Sequence, residues 1–250
     1  MRRLQLSLCG CVGAATAAAG ATPTTPTAAV ERWGQWEGSW RAPTAAGVNP
    51  FTDVDLTVEL RGPGSADGST VVRGFYDGAG VWRARFMPPT TGSWTYHTRC
   101  PGVAALDGKS GSFAVAAPTG ENHGPVIVRR NSTTFQHADG SRFHAVGTTI
   151  YGLAGGVWGG NTARPNKTAE SLATLAASPF NKVRMMAFPV SGAAVESAWL
   201  PYERVPGSND TDLSRFNVEF WQRMDRTIGS LLELGIQSVP TLLSAQPGMV

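Results

Sequence analysis

Between Val30 and about Pro118, apolar and polar residues alternate with a period of two. Val54, Leu56, Val58 and Leu60 interleave with Asp55, Thr57 and Glu59. Trp82, Ala84 and Phe86 interleave with Arg83 and Arg85, and Trp94, Tyr96 and Thr98 with Thr95 and His97. Successive side chains of a strand point to opposite faces, so each run predicts a strand with one buried face. Gly62-Pro63-Gly64, Asp67-Gly68, Asp77-Gly78, Pro88-Pro89 and Asp107-Gly108 supply the turns between them. Short strands at this spacing, with no helical period among them, predict a small antiparallel β-sandwich over residues 30–120.

The pattern then changes. Residues 121–132 form a connector, and Thr133–His137 and Arg142–Ala145 predict a hairpin turned at Asp139-Gly140. From Phe143 onward strands alternate with helices. The expected strands are 143–150, 182–188 and 236–243. A first helix is expected over 169–178, capped by Thr168, with Leu172, Leu175 and Ala176 on its apolar face. A second is expected over 218–234, capped by Asn217 and ended by Gly235, burying Phe220, Trp221, Met224, Ile228, Leu231 and Leu232. Strand–helix alternation predicts a parallel sheet flanked by helices. The fold class is therefore multidomain, β followed by α/β. Strand three leads into a tail, 244–250, with no evident pattern, so the expected sheet holds three strands. Open sheet edges in such a segment predict aggregation or disorder of 143–250 in the absence of a partner.

Residues 1–21 carry Arg2 and Arg3, an uncharged Ala- and Gly-rich stretch, and small residues at 17–19, the pattern of a secretory signal. A Thr/Pro linker follows at 22–29. Cleavage would remove Cys9 and Cys11 and leave Cys100 alone, so neither a disulfide framework nor a cysteine metal site is expected. Sequons at Asn131, Asn166 and Asn209 are candidate glycosylation sites in a secreted chain. The formal net charge is +3, and loss of Arg2 and Arg3 would leave about +1, which gives no case for nucleic acid or an anionic membrane surface. No membrane contact beyond the signal is expected. His97, His123, His137 and His144 lack metal-ligand spacing, although His137 and His144 flank one turn; neither metal nor cofactor is expected. Trp33, Trp36 and Trp40 are read as core and interdomain seam rather than an exposed sugar-binding surface.

Several ordered motifs carry a family resemblance. Asn49-Pro50-Phe51-Thr52-Asp53-Val54, Gly74-Phe75-Tyr76-Asp77-Gly78, Arg85-Phe86-Met87-Pro88 and Gly92-Ser93-Trp94-Thr95-Tyr96 resemble an immunoglobulin-like module of unknown function that precedes glycoside hydrolase barrels. Asn122-His123-Gly124-Pro125-Val126 is similar to the connector that joins the two. Phe143 to Tyr151, residues 178–185 and Arg215-Phe216-Asn217-Val218-Glu219-Phe220-Trp221 resemble the opening of apiosidase-like (β/α)8 domains. The resemblance implies an N-terminal immunoglobulin-like β-sandwich followed by an incomplete (β/α)8 barrel, truncated after its first three strands, over 133–250. It implies a secreted glycoside hydrolase whose partner is a poly- or oligosaccharide.

Glycoside hydrolysis ordinarily needs two facing carboxyl groups, about 5–9.5 Å apart according to mechanism. The three expected strand ends carry none, and the acids of related barrels follow later strands. No catalytic residue is assigned, and the chain as written is expected to be inactive. Glu196, Glu203, Asp210 and Asp212 lie in the long second loop, either facing a sugar or simply solvated. Arg184 is the leading substrate-site candidate: a charge inside an apolar strand, which in related barrels would hold a catalytic carboxylate ionised, or else a structural ion pair or a solvent-facing position in an incomplete sheet. Tyr151, Trp158 and Phe188 offer flat apolar platforms for sugar rings, or core packing. Thr148 and Asn161 could hydrogen-bond hydroxyls. The alternative is a non-catalytic carbohydrate-binding or adhesion protein built on the sandwich.

Overall fold

The computed structural model describes residues 30–64, 68–153, 167–186, 200–208 and 210–241. These residues are mostly β, with two helices. The first strands are β1 (Val30–Glu31), β2 (Trp36–Arg41), β3 (Thr57–Arg61), β4 (Thr70–Arg73), β5 (Phe75–Tyr76), β6 (Val81–Phe86), β7 (Gly92–Arg99) and β8 (Ser110–Ala116). They form a five-stranded sheet, β1-β8-β7-β3-β4, and a three-stranded sheet, β2-β6-β5. All pairings are antiparallel except β1 with β8.

The period-two pattern decides which side chains meet between the sheets. Val58 and Leu60 of β3, Trp94, Tyr96 and Thr98 of β7, and Trp82 and Ala84 of β6 are all buried. Trp36 and Trp40 belong to the same core, as the sequence suggested. The Trp36 ring lies 4.9 Å from Phe113 and 5.2 Å from Tyr96, so β2 of one sheet packs across onto β7 and β8 of the other. Gly38 separates the two tryptophans along β2, and a β-carbon there would fall 2.4 Å from the Trp40 ring. The two indoles therefore use the space that a side chain at 38 would occupy.

The connector contains a strand that sequence reasoning missed. β9 (Val126–Val128), β10 (Phe135–His137) and β11 (Arg142–Phe143) form one antiparallel sheet, order β11-β10-β9. His137 packs on His123, 5.3 Å between rings, whereas the described contact of His144 is its carbonyl accepting from Asn181 Nδ2. The expected strand 143–150 is split. Phe143 closes the hairpin, and β12 (Gly147–Thr149) begins a different sheet.

That sheet contains β12, β13 (Lys182–Met186) and β16 (Gln237–Thr241), in chain order and parallel throughout. Helices α1 (Thr168–Ala176) and α2 (Val218–Glu233) accompany it. Val183 and Met185 of β13 join Leu175 of α1 and Phe220, Met224 and Leu231 of α2 in a second core. Asn217 caps α2 as expected, its side chain accepting from Phe220 N at 3.4 Å, and Gly235 ends it at φ +69°. Thr168 does not cap α1. It is the first helical residue, and its hydroxyl donates to the Leu153 carbonyl. Ala176 and Leu232 are exposed rather than buried, Leu232 at 69%.

The loop expected between strand two and the second helix contains a hairpin, β14 (Tyr202–Arg204) and β15 (Thr211–Phe216). Residues 1–29, 154–166, 187–199 and 242–250 include the expected signal, linker and tail, together with Trp158, Asn161, Asn166, Phe188 and Glu196, which therefore lie outside the described residues, as does Asn209.

Candidate functional site

Alternation along β13 gives its two faces different chemistry. Val183 and Met185 are fully buried beneath the helices, while Lys182 and Arg184 point the other way. In register beside Arg184 stand Thr149 of β12 and Val239 of β16. All three are exposed. This is the open face of the parallel sheet, and it is mixed in character rather than apolar. The helices cover the apolar face, and the uncovered one carries hydroxyls and charge.

Arg184 is exposed, the solvent-facing alternative of the sequence reading. Its Nε lies 3.5 Å from Thr241 Oγ1, at the limit of a hydrogen bond. Its guanidinium carbon sits 5.6 Å from the centre of the Tyr151 ring, within cation–π range. Among the described residues, no acidic side chain forms an ion pair with it. Tyr151 lies just past the C-terminal end of β12, 40% exposed, and its carbonyl accepts from Met186 N at 3.1 Å, so the ladder to β13 fixes its position. The structure thus brings Tyr151 and Arg184 together. Thr148 does not join them. It stands opposite Val183, on the helix-covered face. Thr149 and Thr241 occupy the place expected of it, and the same alternation that separates Arg184 from Val183 identifies them.

A guanidinium offers five fixed N–H donors, the flanking hydroxyls both donate and accept, and the tyrosine supplies a flat apolar surface beside its phenol. Such a face can hydrogen-bond a polyhydroxylated ligand while stacking against its ring.

The loop acids have local partners. Glu203 and Asp212 are opposite each other in the β14–β15 hairpin. The Asp212 carboxylate accepts from the Ser214 hydroxyl at 2.6 Å and the Ser214 N–H at 2.9 Å, which holds it below the ordinary carboxylate range. Asp210 accepts from the Ser208 hydroxyl at 2.7 Å. Both act as turn-forming groups. Cys100 is buried, and its thiol is pushed upward by burial, so it is poorly disposed to act as a nucleophile. Among the described residues no group of three or more His, Cys, Asp or Glu is placed to hold a metal ion, and no helix is long and apolar enough to cross a membrane. Of the sequons, Asn131 is exposed in the β9–β10 turn at φ +56°, a position a glycan can reach.

Residues 29–101 match the model of DUF5060, a domain of unknown function. The chain is also similar to a solved protein of Bacteroides vulgatus ATCC 8482 described as a "putative glycoside hydrolase", with 30% identity and a TM-score of 0.71. The similarity covers 85% of this chain and 41% of that one. This chain therefore spans less than half the length of that relative. A glycosyl hydrolase family 2 member of Bacteroides cellulosilyticus (12% identity, TM-score 0.26, 89% of this chain and 24% of that one) and an Anoxybacillus sp. LM18-11 pullulanase complexed with maltotetraose (12%, 0.25, 89% and 35%) also align. Their superpositions are too loose to carry a structural argument. No protein with a curated description matches.

Proposed function

We propose that this chain is the N-terminal portion of a secreted glycoside hydrolase: an immunoglobulin-like module followed by the opening strands of an apiosidase-like (β/α)8 domain. The observation that carries this reading is the similarity at TM-score 0.71 to a protein described as a glycoside hydrolase. The local geometry agrees with it. In (β/α)8 enzymes the active site lies at the C-terminal ends of the parallel strands. Tyr151, beyond the end of β12, and Thr241, at the end of β16, sit at that rim, with Arg184 reaching toward both. In this reading Arg184 and Tyr151 bind the saccharide. Arg184 donates to its oxygens and the tyrosine ring stacks on its apolar face.

The test is affinity electrophoresis of the full chain in gels containing plant and bacterial polysaccharides, with Arg184→Ala and Tyr151→Ala compared with the parent. Each substitution should weaken retardation about tenfold or more, in line with the loss of a charged hydrogen bond or a stacking surface. Both side chains are exposed, so melting temperatures should stay unchanged. Retardation undiminished in both variants would reject the site.

A further inference from the structure

The sequence motifs that mark the N-terminal unit are not used by the open sheet face. Residues from three of them instead meet the β14–β15 hairpin and α2. The Asn49 side chain donates to the Ser214 carbonyl at 3.0 Å. The Phe51 ring lies 5.5 Å from Tyr76 and 5.6 Å from Phe216, and Phe216 stacks on Tyr202 at 5.0 Å, so an aromatic row runs from β5 into the β14–β15 hairpin. At the Asp77-Gly78 turn, Gln222 Nε2 donates to both the carbonyl and the carboxylate of Asp77 at 3.0 Å. Gly78, at φ +85°, lets Val218 approach to 3.1 Å of where a β-carbon would stand. Arg85 bridges Glu37 at 2.7 Å and Asp225 of α2 at 2.8 Å, and Arg83 joins Glu37 to Asp77. One charged chain, Asp77–Arg83–Glu37–Arg85–Asp225, thus crosses between the two units.

A second seam pins the connector. Asn122 Nδ2 donates to Glu31 at 3.0 Å and to the Arg32 carbonyl at 3.1 Å. Trp33, held at φ +66° beneath the Arg32 guanidinium, packs so closely on Gly124 that a β-carbon there would fall 2.6 Å from its ring. A connector bound in this way is not a flexible tether.

We infer that the N-terminal two-sheet unit is an intramolecular dock whose partner is strands β14 and β15 and residues 217–225 of its own chain, and that its function is to hold the β14–β15 hairpin and the first half of α2 in place. The hairpin has few means of its own to stay ordered. Its strands are short, Leu213 is 72% exposed, and beyond its stack on Tyr202 the Phe216 ring packs on Phe51 and Trp221. Two-stranded ribbons of this size are marginal alone in water. Asn49 and Phe51 face the hairpin, with Tyr76 behind Phe51, while Asp77, Gly78 and Arg85 face α2. The inference does not depend on the proposed sugar chemistry.

Amide hydrogen exchange on the full chain tests it. In the Gln222→Ala/Asp225→Asn double variant, amides of β14, β15 and the first two turns of α2 should exchange about tenfold faster, while β3 and β7 keep their rates. Arg85→Met should accelerate the α2 amides in the parent but add clearly less in the double variant, because the carboxylate it pairs with on α2 has already been neutralised. Asp225→Asn alone, a milder change, should give about a threefold effect if the double variant folds poorly. Unchanged α2 and hairpin rates, equal acceleration in β3 and β7, or an undiminished Arg85→Met effect in the double variant would each overturn the inference.

Discussion

At the scale of single residues, charge placement is decided by which face of a strand or turn a side chain occupies. His123 shows this with a pH dependence. Its Nδ1 lies 2.7 Å from Asp139, whose hydrogen bond holds the imidazole above its ordinary value of 6.5. Asp139 in turn is held far below the usual carboxylate range, first by the Ser141 hydroxyl and then by the Ser141 N–H. A histidine with a raised folded-state pKa contributes stability in full below its unfolded value, and loses it as pH rises through the folded value. A carboxylate with a lowered pKa contributes above its unfolded value, about 3.9, and loses that contribution on acidification. The connector-to-hairpin contact is therefore strongest between about pH 4 and pH 6.5. Proton NMR of the full chain should give a His123 midpoint above 6.5, lowered toward the ordinary value by Asp139→Asn, with Glu121 at 3.5 Å still favouring the charged ring; an unshifted parent midpoint would refute the pairing. Arg184 teaches a related lesson. The alternation Lys182, Val183, Arg184, Met185 assigns it to the face opposite the core, although most of its neighbours in the strand are apolar. The period was the better guide.

At the scale of elements, the sequence was most legible where one face is buried against its own neighbours. The alternating runs at 56–60, 82–86 and 94–98 correspond to β3, β6 and β7, and the capped run after Asn217 corresponds to α2. It was least legible where an element depends on distant partners. β14 and β15 draw on Phe51, 165 residues before its partner Phe216, so no local periodicity announces them. β9 is a three-residue strand defined by its pairing with β10. Helix α2 also shows the limit of periodicity at its own boundary. Leu231 and Leu232 both read as core, but only Leu231 is buried, at 0% against 69%. Leu231→Ala should cost about 2–5 kcal/mol in urea unfolding, through lost burial and a residual cavity. Leu232→Lys should stay within about 0.5 kcal/mol. Equal costs for the two would mean that α2 is rotated relative to this description.

For the whole molecule, the helix-covered core beneath β13 leaves the opposite sheet face open. Thr149, Arg184 and Val239 are exposed on it, and Arg184 reaches toward Tyr151 and Thr241. The N-terminal unit is attached by two seams on other surfaces, through Trp33 and Asn122 at the connector and through Asp77, Arg85 and Phe51 at α2 and the hairpin. This arrangement separates the two functional readings of the sequence. If the sheet face is the saccharide site, the ligand contacts residues beyond 140; if the sandwich is a binding module in its own right, the ligand contacts residues 30–120. Backbone amide shift mapping of the full chain, titrated with neutral and uronic-acid-containing oligosaccharides, distinguishes them most directly. The account predicts saturable shifts centred on Thr149, Tyr151, Arg184 and Thr241 that disappear in Arg184→Ala. Saturable shifts confined to the two N-terminal sheets, with those four positions unmoved, would contradict it.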